Sequence, residues 1–100
     1  MDKGEAIEKV KAYKSLLEKY FPLEKIYMFG SYAKDTYRDD SDIDVAIIVK
    51  RLEEDFFSTH PLLWKLRRQI DDRIEPVLIE RDFDDAGFYE EIQKNGIEVV

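Results

Sequence analysis

One hundred residues with 44% hydrophobic content suffice for one domain around one core and leave no material for a second. A formal charge of −7 and a pI near 4.7 argue against broad electrostatic capture of nucleic acid, which needs clustered Lys and Arg to meet phosphates, although a local basic patch could still meet a polyanion. The absence of cysteine removes disulfides and thiolate metal sites, and no apolar stretch has membrane-spanning length or the layout of a signal peptide, so a soluble cytoplasmic protein is expected.

Residues 2 to 20 place Ala6, Val10, Tyr13, Leu17 and Tyr20 at three- and four-residue spacing, which predicts an amphipathic helix that Pro22 ends. Ile26 to Phe29 reads as a short strand that turns at Gly30, and a short helix is expected from Ser31. Ile43 to Val49 is almost wholly apolar and rich in β-branched residues, the pattern of a central strand covered on both faces.

Ser58 or Thr59 is expected to cap a second helix with Pro61 in its first turn and Leu62, Leu63, Leu66 and Ile70 as its buried stripe. The stretch IEPVLIE, residues 74–80, reads as a strand in which Pro76 implies an edge or a bulge. Asp84 or Asp85 is expected to begin a last helix containing Ala86, Tyr89 and Ile92, which Asn95-Gly96 stops before a final strand, Ile97 to Val100. The order α-β-α-β-α-β-α-β predicts a layered α/β (α+β) domain spanning residues 1–100, with a small mixed sheet of about four strands packed with helices.

Asp40, Asp42 and Asp44 crowd the entrance to the apolar strand, where their charges repel and are costly to desolvate. Strand alternation sends Asp42 and Asp44 to the same side, roughly 7 Å apart at about 3.3 Å per residue. Oxygen ligands so placed can hold Mg²⁺, and Glu75 joins them if its strand is a neighbour. Such a trio suits in-line displacement at phosphorus, with Glu75 able to accept a hydroxyl proton. Gly30 admits a phosphate close to the backbone, Ser31 offers its hydroxyl and neighbouring N–H groups, and Lys34 and Arg38 can neutralise phosphate charge. A calcium loop starting at Asp40 is excluded, because it would need Gly where Val45 stands and Glu where Arg51 stands.

The ordered set Gly30-Ser31, Asp42-Ile43-Asp44 and Glu75 resembles the DNA polymerase β-like nucleotidyltransferase superfamily, and GSYAKDTYRDDSDIDVAIIV resembles most closely its minimal nucleotidyltransferases. The resemblance implies a nucleotidyltransferase fold, catalytic and Mg²⁺-binding roles for Asp42, Asp44 and Glu75, and nucleotide binding by Gly30, Ser31, Lys34 and Ser41. It also implies ATP as substrate and an all-helical HEPN partner, with the minimal protein acting as antitoxin by transferring AMP to a tyrosine of that toxin. A homo-oligomer stays open. Two alternatives stand beside this: a weak or inactive binding module that neutralises the partner by covering it, and transfer to a small molecule. The sequence departs from the family pattern in reading Ala33-Lys34-Asp35 where small-Arg-Gly is usual, and in having Glu75-Pro76 where Asp and an apolar residue are usual.

Other chemistry-bearing residues receive structural readings. His60, the single histidine, is expected to cap a helix or face solvent, Trp64 to pack, and Arg67, Arg68 and Arg73 to form a solvated helix end. Tyr32 and Tyr37 are read as packing residues before self-modification targets. The thirteen aromatic residues exceed what a small core hides, so some are expected to meet a partner.

Overall fold

The computed structural model describes residues 1–52, 56–84 and 86–100, without the side chains of Phe56 and Phe57. Helix α1, Lys3–Leu17, starts where the Asp2 carboxylate accepts the Glu5 N–H at 2.8 Å, and it buries Ala6, Val10, Tyr13 and Leu17 along one stripe. It ends before Pro22 is reached: Lys19 and Tyr20 donate to the carbonyls of Leu16 and Leu17, and Tyr20 lies outside the stripe, 54% exposed.

Strands β1 (Lys25–Phe29), β2 (Ile43–Val49), β3 (Ile74–Glu80) and β4 (Ile97–Glu98) form one sheet in the order β3-β2-β1-β4. The β2–β3 pair is parallel, joined through helix α2 (Phe56–Arg67), and the other pairs are antiparallel. This is the mixed α/β sheet expected. β2 is its buried interior strand, and β3 is an edge that tolerates Pro76 because one of its sides needs no ladder donor.

Alternation along the strands builds two apolar layers. Ile26, Met28, Ile43, Val45, Ile47 and Ile74 pack on one side with residues of α1 and α2, including Val10, Tyr13, Leu63 and Leu66. Tyr27, Ala46, Ile48 and Ile79 pack on the other with Ile92 of helix α3, Phe88–Asn95. The buried Tyr13 hydroxyl donates to the Leu63 carbonyl at 2.8 Å and ties the two large helices together. Asp71 accepts from Lys9 of α1 at 2.6 Å and from Arg73 at 3.1 Å, bracing the chain just before β3, and these cations hold its carboxyl well below the usual range.

Other expectations are corrected as well, the final strand, which stops at Glu98, among them. No helix follows Ser31: Lys34 N–H bonds the Gly30 carbonyl and Thr36 N–H the Ser31 carbonyl, and Asp35 at φ 60° closes the turn as a helix C-terminus would be closed. Helix α2 begins by Phe56, so Pro61 lies inside it and Thr59 is buried on its core face beside Leu63 and Leu66 instead of capping it; only one N–H is lost, and the packed face holds the helix together. Helix α3 starts at Phe88, not near Asp84 or with Ala86 inside it, because Gly87 at φ 69° turns the chain immediately before; Asp85 lies outside the described residues. Asp84 still caps that helix from outside, accepting from the N–H groups of Phe88 and Tyr89 at 3.0 and 2.8 Å, and an unforeseen 3-10 turn, Arg81–Phe83, precedes it. Finally, Arg67 and Arg73 are not a solvated end: Arg67 donates to the Asp72 and Ile74 carbonyls and stacks on Trp64 at 4.5 Å, while Arg73 is held by Asp71. Arg68 is exposed as expected.

Candidate active site

Backbone register carries the acids into one row. Phe29 of β1 lies beside Asp44 of β2, and Asp44 beside Glu75 of β3, so these side chains share one face of the sheet across neighbouring strands about 4.8 Å apart. Phe29, Val77 and Tyr89 belong to the α3-side layer, so the acids stand on that face, at its mouth. Asp42 precedes β2 by one residue and is exposed, yet its carboxyl comes within hydrogen-bonding reach of Glu75. The structure thus sets the three acids that the sequence marks out at one mouth of the sheet, Asp44 beside Glu75 in register and Asp42 close to Glu75.

Gly30 ends β1 with φ 71°, and its missing side chain is what lets the acid row stand there: a Cβ would lie 2.1 Å from Asp44 Oδ2. The turn that follows places Ser31 half-buried and Lys34 exposed beside the acids' end of the sheet. Ser41 accepts the Arg38 N–H at 2.7 Å, so its hydroxyl shapes the loop entering β2. Tyr32 is fully buried, stacked on Tyr37 at 4.5 Å with its hydroxyl donating to the Met1 carbonyl, which is a packing role.

The electrostatics match the crowding. Burial raises the Asp44 carboxyl above its ordinary range, and Asp42 raises it further. Glu75 is raised by burial first, then by the charge and contact of Asp42 and by Asp44, against the opposing pull of Arg67. Arg67 is the cation, acting on Glu75 from the α2 side of the sheet, that sequence reading misplaced. Its position after the apolar stripe of α2 gives the one available signal, since the tight return to β3 folds that helix end inward.

Among the described residues no three His, Cys, Asp or Glu side chains are gathered closely enough to hold a metal ion by themselves. A Mg²⁺ ion here would rest on one or two carboxylates and take the rest of its shell from water and substrate phosphates, as this ion ordinarily does. A donor set of crowded, like-charged carboxylate oxygens suits a hard divalent cation.

Asp35 occupies the left-handed position with its carboxylate paired to Lys3 at 3.0 Å. Glycine is easier there, and removing the charge favours a neighbouring polyphosphate. Asp35→Gly is expected to hold or raise stability and to tighten ATP binding severalfold; calorimetric titration showing weaker binding with an unchanged melting temperature would contradict this.

A glycine turn abutting an acid row at the mouth of a four-stranded mixed sheet is the arrangement expected of a nucleotidyltransferase. Residues 11–100 match the family model described as Polymerase beta, Nucleotidyltransferase, and the chain belongs to that family. A Methanocaldococcus jannaschii protein, provisionally named protein adenylyltransferase MJ0141, is 27% identical over 99 residues, covering 95% of this chain and 99% of the relative. A crystal structure from Sulfolobus solfataricus, assigned provisionally as a nucleotidyltransferase, shares the fold with a TM-score of 0.70 at 21% identity, over 96% of this chain and 80% of the other. A chain in a crystal structure of a toxin-antitoxin with AMP-PNP shares it with a TM-score of 0.68 at 24% identity, over 94% and 72%. The family resemblance drawn from Gly30-Ser31, Asp42, Asp44 and Glu75 is borne out. No described helix is long and apolar enough to cross a membrane.

Proposed function

We infer that this nucleotidyltransferase moves AMP from ATP onto a hydroxyl of a protein partner, a tyrosine of a HEPN-type toxin, and so acts as a cytoplasmic antitoxin. The observation that carries the reading is the row of Asp44 and Glu75, joined by Asp42, against which Gly30 packs with no room for a side chain. The name of the Methanocaldococcus jannaschii relative supports protein adenylylation, and the toxin-antitoxin neighbour with AMP-PNP supports a toxin partner and an adenine nucleotide.

Asp42, Asp44 and Glu75 would hold Mg²⁺, which when bound supplies positive charge to the α-phosphate and its leaving group. Gly30 and Ser31 present backbone N–H groups and a hydroxyl to the outer phosphates, and Lys34 and Ser41 flank them with a charge and a second hydroxyl. Glu75, in register beside Asp44 at the end of the acid row, is placed to accept the acceptor's proton. The acceptor oxygen then bonds the α-phosphorus as the bond to the bridging oxygen breaks, and pyrophosphate leaves.

The test incubates the protein with ATP labelled on the α-phosphate, Mg²⁺ and the product of the neighbouring gene. Label is expected on a partner tyrosine, lost with Asp42→Asn. If Asp42→Asn still suppresses toxicity at equal abundance, the protein neutralises its partner by covering it and the transfer reading fails.

A further inference from the structure

On the α3 side of the sheet, the face that bears the acids continues along β3 through Val77 and Ile79. Helix α3 covers the β1 half of this face: Tyr89 meets Tyr27 at 6.1 Å and Phe88 meets Phe29 at 5.9 Å, both edge to face. The β3 half is left as a groove along residues 77–80 of the edge strand, Leu78 of the opposite layer included, walled by Phe83, Asp84 and Phe88. Phe83 is 66% exposed and Phe88 39%, two large apolar rings left in contact with solvent. Among the described residues no strand pairs with the outer edge of β3.

We propose that this groove is the acceptor subsite, seating the aromatic ring of a tyrosine in a basic segment of a protein partner; the proposal rests on the transfer reading above. Three observations select that occupant. In-line displacement requires the attacking and leaving oxygens on opposite sides of phosphorus. The strand order puts the Gly30 turn on the β1 side of the acid row and this groove on the β3 side, with Val77 only two residues, about 7 Å, beyond Glu75.

The groove's volume is the second. At about 260 Å³ it falls below the roughly 300–1,000 Å³ of pockets that enclose whole small molecules, and it suits one side chain inserted from a larger body. Its composition is the third: two phenylalanine rings and a valine receive a ring by edge and face contacts, while Glu80 and Asp84 lend the groove negative charge, complementary to Lys or Arg beside the acceptor. A tyrosine so held projects its hydroxyl along β3 toward Glu75.

The probe is a short peptide with one central tyrosine flanked by lysines, added to ¹⁵N-labelled full chain without nucleotide. Amide shifts are expected at Val77 to Glu80, Phe83 and Phe88, and Phe83→Ala should weaken the peptide about tenfold while leaving ATP affinity unchanged. Because Phe83 is exposed, that variant retains the fold, and its melting temperature checks this. Shifts confined elsewhere, or peptide binding indifferent to Phe83→Ala, would overturn the proposal. So would equal affinity for free phenol and the peptide, which would make the acceptor a small molecule, or a dimer in sedimentation that Phe83→Lys dissolves, which would make the groove a self-contact. Peptide binding needs no catalysis, so a wild-type chain that binds the peptide here but transfers no AMP defeats the transfer reading and leaves the groove assignment standing.

Discussion

Replacing Asp44 with asparagine is expected to make the protein more stable and nearly inactive. Asp44 is half-buried beside Asp42 and Glu75, and its carboxyl is raised by burial and by like charge, so ionising it in the folded state opposes folding. For an acid raised in this way the folded state binds more protons than the unfolded one, and stability falls as pH rises. In metal-free protein the loss begins near the ordinary carboxylate range, about pH 4, and is complete above the raised values of Asp44 and Glu75.

Neutralising Asp44 removes that opposition, and a gain on the order of 1 kcal/mol corresponds to a rise of about 4–8 °C in melting temperature for a domain of this size. On the proposed function the same change takes away an oxygen that would hold Mg²⁺ against the reacting phosphate, and losing one such electrostatic contact typically costs about 10²–10³ in turnover. Mg²⁺ should stabilise the wild type more than Asp44→Asn. Thermal melts at neutral pH with and without Mg²⁺, beside a transfer assay, measure both effects. A melting temperature that falls, or transfer within tenfold of wild type, contradicts the assignment of Asp44 as an electrostatically strained functional acid.

Gly30→Ala should fail in the opposite manner, losing stability and activity together. The added methyl would sit 2.1 Å from Asp44 Oδ2, closer than any contact allows, and the backbone at φ 71° resists a Cβ even in open space. The carboxylate must swing away or the turn must unwind. A cost of roughly 1–3 kcal/mol follows from the strained backbone and displaced contact. A shift of about 1 Å at a reacting centre costs on the order of 100-fold in rate. Denaturant unfolding and the transfer assay check the pair, and an alanine variant as stable and active as the wild type would mean that Gly30 is an ordinary turn residue.

The acid row was readable because each part depends on local pattern. A β-branched run identifies β2, its two-residue alternation puts Asp42 and Asp44 on one side, and the similar entrance of IEPVLIE aligns Glu75. What the sequence did not reveal depends on closure in space. The turn after Ser31 stops because Asp35 adopts a left-handed backbone that its residue type permits without requiring. Pro61 resembles a helix start, yet the buried face of Thr59, Leu63 and Leu66 carries α2 across it. Arg67 looks like one more surface cation until the return to β3 brings the Ile74 carbonyl to 3.0 Å. The contact between Gly30 and Asp44 is likewise invisible until β1 and β2 are paired.

The parallel pairing of β2 with β3 also orders assembly in time. Gly30 and Asp44 come together by closing a short antiparallel connection, whereas Glu75 arrives only after the chain has folded over through α2. Parallel crossovers close late, and peripheral strands open first in native fluctuations. Detachment of β3 alone would therefore strip Glu75 from the ensemble while the contact of Gly30 with Asp44 survived; on the proposed function, such a transiently opened molecule grips ATP but cannot use it.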